Sequence, residues 1–212
     1  MKANILALAF ILVVALWRVM VAYQPALYNV APVTALAFCA AVYFPDWRLW
    51  LVPFAALALS DIWLNYYHAT EFGYTWHLGE MLLRAACIAA ALGVGRLVAR
   101  RRNAVTLAAG ALGSALIFYV GTNSVSWFAD PVYAKTAAGW WQALTVGHSQ
   151  FPPTLWFFRN TLVGDVLFTG LFATAIELAL ARDTRRDPAG SAFRRSGLVG
   201  AAGRIQRASR RD

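Results

Sequence analysis

The chain is poor in charge. Only 14% of its 212 residues are Asp, Glu, Lys or Arg, against roughly 25% in average soluble domains. It has two cysteines, Cys39 and Cys87, both inside apolar runs, and this excludes a disulfide scaffold. It lacks the alternating strand pattern of a transmembrane barrel. It has no Walker lysine motif, so it cannot drive ATP-dependent transport alone. What it has in abundance is apolar side chain: 60% hydrophobic residues and a mean hydropathy of +0.53. These values exclude disorder for most of the chain and rule out most soluble domains. An integral membrane protein of one domain remains. The net charge of +9 could point to nucleic acid, so its location has to be settled.

A bilayer-spanning helix needs about 20 mainly apolar residues. Six segments qualify as candidates: 4–22, 30–45, 49–66, 78–98, 104–127 and 156–181. Pro32 suggests that the second helix opens there, and Asp46-Trp47-Arg48 a tight turn into the third. The expected fold is all-α: a six-transmembrane-helix bundle. With the N-terminus inside, 15 of the 19 basic residues fall on the cytoplasmic side, and Lys135 alone falls outside. The positive-inside rule favours this arrangement, with both termini cytoplasmic, over its inverse. Arg18 and the lack of a small-x-small cleavage site argue against a cleaved signal peptide.

Two regions are expected: a transmembrane domain over 1–181 and a basic, disordered cytoplasmic tail over 182–212. The tail holds nine arginines against Asp183, Asp187 and Asp212, so it supplies +6 of the +9. It is suited to lie near anionic lipid. It has no aromatic interleaving and no nucleic-acid motif, so no nucleic-acid partner is expected.

Ionisable groups inside a membrane mark functional sites by default. The six-span topology puts Arg18, Asp61, Asn65, Glu80, Arg84, Asn123, Arg159, Asn160 and Asp165 in one outer half. Helical spacing aligns them: Asp61, Asn65 and His68 form one stripe, His77, Glu80 and Arg84 a second, and Thr161, Asp165 and Thr169 a third. Arg159 and Asp165 lie about 120° apart around their helix, so each is expected to find its partner on a neighbour. The layer balances three arginines against Asp61, Glu80 and Asp165. Its plainer reading is three buried ion pairs that tie helices together. Because such pairs often add little net stability, a water-accessible pocket is the preferred reading. The substrate-binding set is then Asp61, Asn65, Glu80, Arg84, Asn123, Arg159, Asn160 and Asp165. Arginines would hold a ligand carboxylate or phosphate. Trp63, Trp76, Tyr133, Trp140 and Trp141 are candidates for an aromatic lining or lid, although an interfacial belt explains many outer aromatics. The long segment 128–155 would lie in the interface or cover the pocket.

Four stretches carry a family resemblance: Asn29-Val30-Ala31-Pro32-Val33-Thr34-Ala35-Leu36-Ala37 with Ala41-Val42-Tyr43-Phe44; Leu59-Ser60-Asp61; Tyr133-Ala134-Lys135-Thr136-Ala137-Ala138-Gly139; and Phe158-Arg159-Asn160-Thr161-Leu162-Val163-Gly164-Asp165. Over residues 1–181 the chain resembles an uncharacterised family of bacterial six-span proteins regarded as transport proteins. That family in turn looks like the substrate-binding S components of energy-coupling-factor (ECF) vitamin transporters. The third stretch departs from the family pattern, which usually has proline where Ala134 stands. The resemblance implies an S-component-like bundle in the bacterial inner membrane, a small vitamin-like ligand held near the outer face, and work with a membrane coupling subunit and ATPase subunits. With no ATPase motif and no convincing catalytic constellation in the sequence, neither a cofactor nor enzymatic activity is expected.

Other classes stay open. His77 and Glu80 at i, i+3 could share a metal in a membrane enzyme or metal carrier, although H-E-x-x-H is absent and no metal site is assigned. A ligand-free structural or assembly protein would use the outer charges only as pairs.

Overall fold

The computed structural model describes residues 2–30, 32–73 and 78–186. Trp76, His77 and the tail from 187 onward lie outside the described residues. Helices form every regular element among those residues, with no strand: α1 (Lys2–Ala22), α2 (Val33–Tyr43), α3 (Val52–Phe72), α4 (Leu78–Val98), α5 (Ala104–Ala129), α6 (Ala137–Leu144) and α7 (Thr154–Arg186), with short 3-10 turns at Pro25–Leu27, Trp47–Leu51 and Ala99–Arg101. Contacts divide the chain into two units, Met1–Phe172 and Ala173–Asp212. In the second unit the described residues continue helix α7.

Four helical stretches among the described residues are long and apolar enough to cross a membrane: Trp47–Glu71, Leu78–Arg101, Ala104–Ala129 and Thr154–Arg182. By the length and composition of its helices the chain is a multi-pass membrane protein. Large apolar side chains such as Ile62, Leu82, Val105 and Val163 remain exposed on these helices, as contact with lipid requires.

Helix α2 departs from the sequence expectation of a span over 30–45. It has 11 residues, which at about 1.5 Å per residue cover roughly half of a 30 Å hydrocarbon core. The stop has a local cause. Phe44 precedes Pro45, its backbone is extended, and the residue before a proline is pushed out of the helical region. Pro32 stands at the opening, as its position suggests. Val33 to Val42 are all buried, so the apolar character of α2 reflects burial in protein. Hydropathy alone does not separate the two environments.

Small residues let the other helices close around α2. A Cβ on Gly95 of α4 would lie 2.5 Å from the Phe38 carbonyl oxygen and 2.9 Å from Ala41 Cβ. Gly110 of α5 makes room for the Phe38 ring, which is fully buried. Close backbone approach through small residues is a general way to pack helices within membranes. The caps are local. Asn103 and Thr106 form a reciprocal capping box at α5. Gly73 ends α3 in the left-handed region, its N–H bonded to the His68 carbonyl. The side chain of Asp46 accepts from the Arg48 N–H and caps the turn before α3.

Candidate functional site

One end of the first unit is basic. Arg96 stacks over Trp50 at 5.1 Å and Arg102 over Tyr43 at 4.6 Å. These contacts gather the 47–51 turn with the close of α4. At the opposite helix ends lies a cleft of about 440 Å³, within the size range of small-molecule sites. The start of α4 lines it with Glu80, Leu83 and Arg84; the end of α5 with Phe118, Tyr119, Thr122, Asn123 and Ser126; the start of α7 with Phe157, Phe158 and Thr161. Asn29 closes the side before α2. Tyr133, His148, Phe151 and Pro152 reach in from the 130–153 segment.

Local chemistry places these groups. Glu80 and Arg84 are i, i+4 neighbours, so an acid and a base share one helix face. Tyr119 and Asn123 share a face of α5, and Asn123 Nδ2 donates to the Tyr119 carbonyl at 2.8 Å. The Tyr119 ring stacks on Phe158 with centroids 4.3 Å apart, which joins α5 to α7 as an aromatic wall. Asn29 has φ +66°, a conformation asparagine adopts more readily than most residues. Asn160 holds its turn in place, with Nδ2 donating to the Ala26 and Tyr28 carbonyls at 3.1 and 2.9 Å.

The 130–153 segment is folded over this end. Helix α6 is capped by Thr136, whose hydroxyl accepts from the Gly139 N–H. Trp140 Nε1 donates to Ser124 Oγ at 2.9 Å, Trp127 Nε1 donates to the Ala134 carbonyl at 2.9 Å, and the Tyr119 hydroxyl donates to the Leu144 carbonyl. Tyr133 is buried against the cleft. Burial, with Asp130 nearby, pushes its phenol upward, so at neutral pH it remains a neutral hydroxyl.

Glu80, Arg84, Asn123 and Tyr133 of the expected site therefore converge on the cleft. Asp61 stands behind it as a shared counter-ion. Its carboxylate meets Arg18 at 2.8 Å and Arg84 at 3.4 Å. Arg18 also donates to Ser60 Oγ and to the Leu57 carbonyl. This network ties α1, α3 and α4 together and fixes Arg84 from its far side. Asn65, half-buried on α3, does not line the cleft.

The other expected residues sit elsewhere. Arg159 is exposed, with Nη2 donating to Asn160 Oδ1 at 3.3 Å and its guanidinium 5.4 Å from the Trp156 ring centre. Asp165 is buried below the cleft floor. Neither forms an ion pair among the described residues, so the expected cross-helix partners are not found. Helix α7 turns the two side chains to different surroundings, Arg159 exposed and Asp165 buried, and Asp61 engages both Arg18 and Arg84. Trp63 is half-exposed and donates to the Tyr23 hydroxyl at 3.2 Å. Trp141 is exposed. Trp63, Trp140 and Trp141 do not line the cleft. Trp76, and the His77 of the proposed metal pair, fall outside the described residues.

Sequence reasoning missed the aromatic wall of Phe118, Tyr119, Phe157 and Phe158. Part of the signal was present, since Tyr119, Thr122, Asn123 and Ser126 keep one-face helical spacing. Phe157 and Phe158 carry no such signal in a helix that is apolar nearly all round.

No curated protein and no solved structure matches the chain. A family model described as a family of unknown function (DUF6580) matches residues 1–189. The cleft, the arginine–aspartate network behind it and the short buried helix α2 are thus features of a member of that family, to which the chain belongs.

Proposed function

We propose that this protein captures a small nutrient-like solute from the outer side of a bacterial inner membrane, in the manner of an S component. The observation that carries this reading is the cleft. An acid, a base, an amide and several hydroxyls converge between aromatic walls in about 440 Å³, the composition expected of a small-ligand pocket. Arg84 would engage an anionic group of the ligand, and Glu80 and Asn123 would take its donor groups. The Phe158–Tyr119 pair would pack on a ring. The chain would cross the membrane six times with both ends cytoplasmic, α2 serving as a short inner pass. The gathering of Arg48, Arg96 and Arg100–Arg102 away from the cleft supports that orientation. Energy would come from a membrane coupling subunit with ATPase subunits, which follows from the family resemblance and from the lack of a phosphate-binding loop in this chain.

The test is ligand-induced stabilisation of the full chain in lipid nanodiscs, with a panel of water-soluble vitamins as probes. A binder should raise the melting temperature. Glu80→Gln and Asn123→Ala should each abolish that rise, while Arg159→Ala, outside the cleft, should keep it. Unchanged binding in both cleft variants would place the ligand elsewhere.

A further inference from the structure

Asp165 differs from the other charges of the fold. It lies in a candidate membrane-spanning helix and is 1% exposed. Neither carboxylate oxygen has a well-formed hydrogen bond among the described residues, although the Ala35 N–H of α2 is directed at it, and it has no ion pair among them. One turn further, the Thr169 hydroxyl is also buried without a partner among the described residues.

The neighbouring elements offer little compensation. From α2 the Cys39 thiol faces this region, donating to the Thr169 carbonyl at 3.8 Å. From α1 come aromatic rings, Trp17 against Phe168 and Phe10 against Phe172. The α1 cation Arg18 is engaged by Asp61 and Ser60. From α5 the Tyr119 ring packs higher up, on Phe158. The first turn of α2 has no side-chain cap at Pro32, and its Ala35 amide acts on the carboxylate. A helix N-terminus offsets about half an elementary charge. The remaining negative charge, inside an apolar helix assembly, is among the most unfavourable arrangements a protein can hold.

We propose that Asp165 is the seat of one exchangeable monovalent cation, a proton or a sodium ion, loaded from the cleft past Thr161. A single carboxylate beside neutral hydroxyls suits one positive charge, whereas divalent ions need more acidic oxygens. Thr161 supplies the route, because it lines the cleft and stands one turn before Asp165 on the same helix face. The inference goes beyond nutrient capture and stands even if the cleft holds a different ligand.

Two measurements on the full chain in nanodiscs test it. In the first, sodium replaces N-methylglucamine at constant ionic strength and pH while melting is followed. A sodium seat should raise the melting temperature by roughly 5 to 10 °C at a hundredfold excess over Kd, and Asp165→Asn should remove the rise. In the second, infrared spectra in sodium-free buffer at neutral pH are read for the carbonyl band of a protonated carboxyl. A proton seat should show that band, and Asp165→Asn should lose it. Either result supports the proposal and tells the two cations apart. A parent with no sodium response and no such band overturns it. If Asp165→Asn fails to fold, the parent labelled with carboxyl-13C aspartate and the variant Thr169→Val decide instead. The band must then shift with the label, or the sodium response must weaken in Thr169→Val; failure of both overturns the proposal.

Discussion

Replacing Asp61 by Asn should weaken the fold more than any exposed substitution. Asp61 faces two guanidinium groups, Arg18 at 2.8 Å and Arg84 at 3.4 Å, and all three side chains are at most 17% exposed. Each contact is worth about 4 kcal/mol as a Coulomb term at 4 Å and an effective dielectric of 20, most of it offset by desolvation of the ions. The offset is not recovered when the carboxylate is removed, because Arg18 and Arg84 stay buried and then repel each other. Breaking a buried pair in this way costs about 3–5 kcal/mol. For a chain of this size that is a fall of roughly 6 to 20 °C in melting temperature. Arg18→Met should be milder, since Asp61 keeps Arg84. The double variant Arg18→Met/Asp61→Asn should melt above Asp61→Asn, because one uncompensated cation has gone. The assay is thermal unfolding of the purified chain in nanodiscs, followed by tryptophan fluorescence. If Asp61→Asn melts within about 2 °C of the parent, the range of a surface change, or if the double variant is no better than the single, the network does not hold these helices together.

Other substitutions test the packing. Gly95→Ala should destabilise by about 1–3 kcal/mol through the forced contact with the Phe38 carbonyl, whereas Gly93→Ala, with nothing within 4 Å of the new methyl, should be neutral; equal melting of the two would refute the close α2–α4 approach. Asn160→Ala strips two carbonyls of their donor and should cost about 1–3 kcal/mol, with faster amide exchange across 23–30 as the specific sign. Trp140→Phe removes the bond to Ser124 and should cost about 0.5–1.5 kcal/mol, seen as earlier proteolysis of the 130–153 segment.

The sequence carried the convergence of polar groups further than their pairing. Glu80 and Arg84, and Asn123 with Thr122 and Ser126, were recognisable because an α-helix turns fixed spacings into faces, and these faces do meet at the cleft. The balance of three arginines against three acids left three pairs as the plainer alternative to a pocket. The structure instead gives one acid two arginines and leaves Asp165 and Arg159 apart. Pairing depends on how neighbouring helices are rotated, and a formal charge count contains no rotation.

Composition by itself determined that this is a helical membrane protein, since runs of about 20 apolar residues have few other stable states. Local chemistry determined where several helices begin and end: Asn103 with Thr106, Gly73, and Pro45 after Phe44. Tertiary structure decided that α2 is buried in protein, that Asn160 braces a turn, that Arg159 faces outward, and that aromatic side chains of α5 and α7 close the cleft. All four depend on how one helix is rotated and packed against another, which spacing along a single helix does not contain. An apolar side chain satisfies lipid and protein interior equally well, so only the packing of one helix against another determines which of the two it meets.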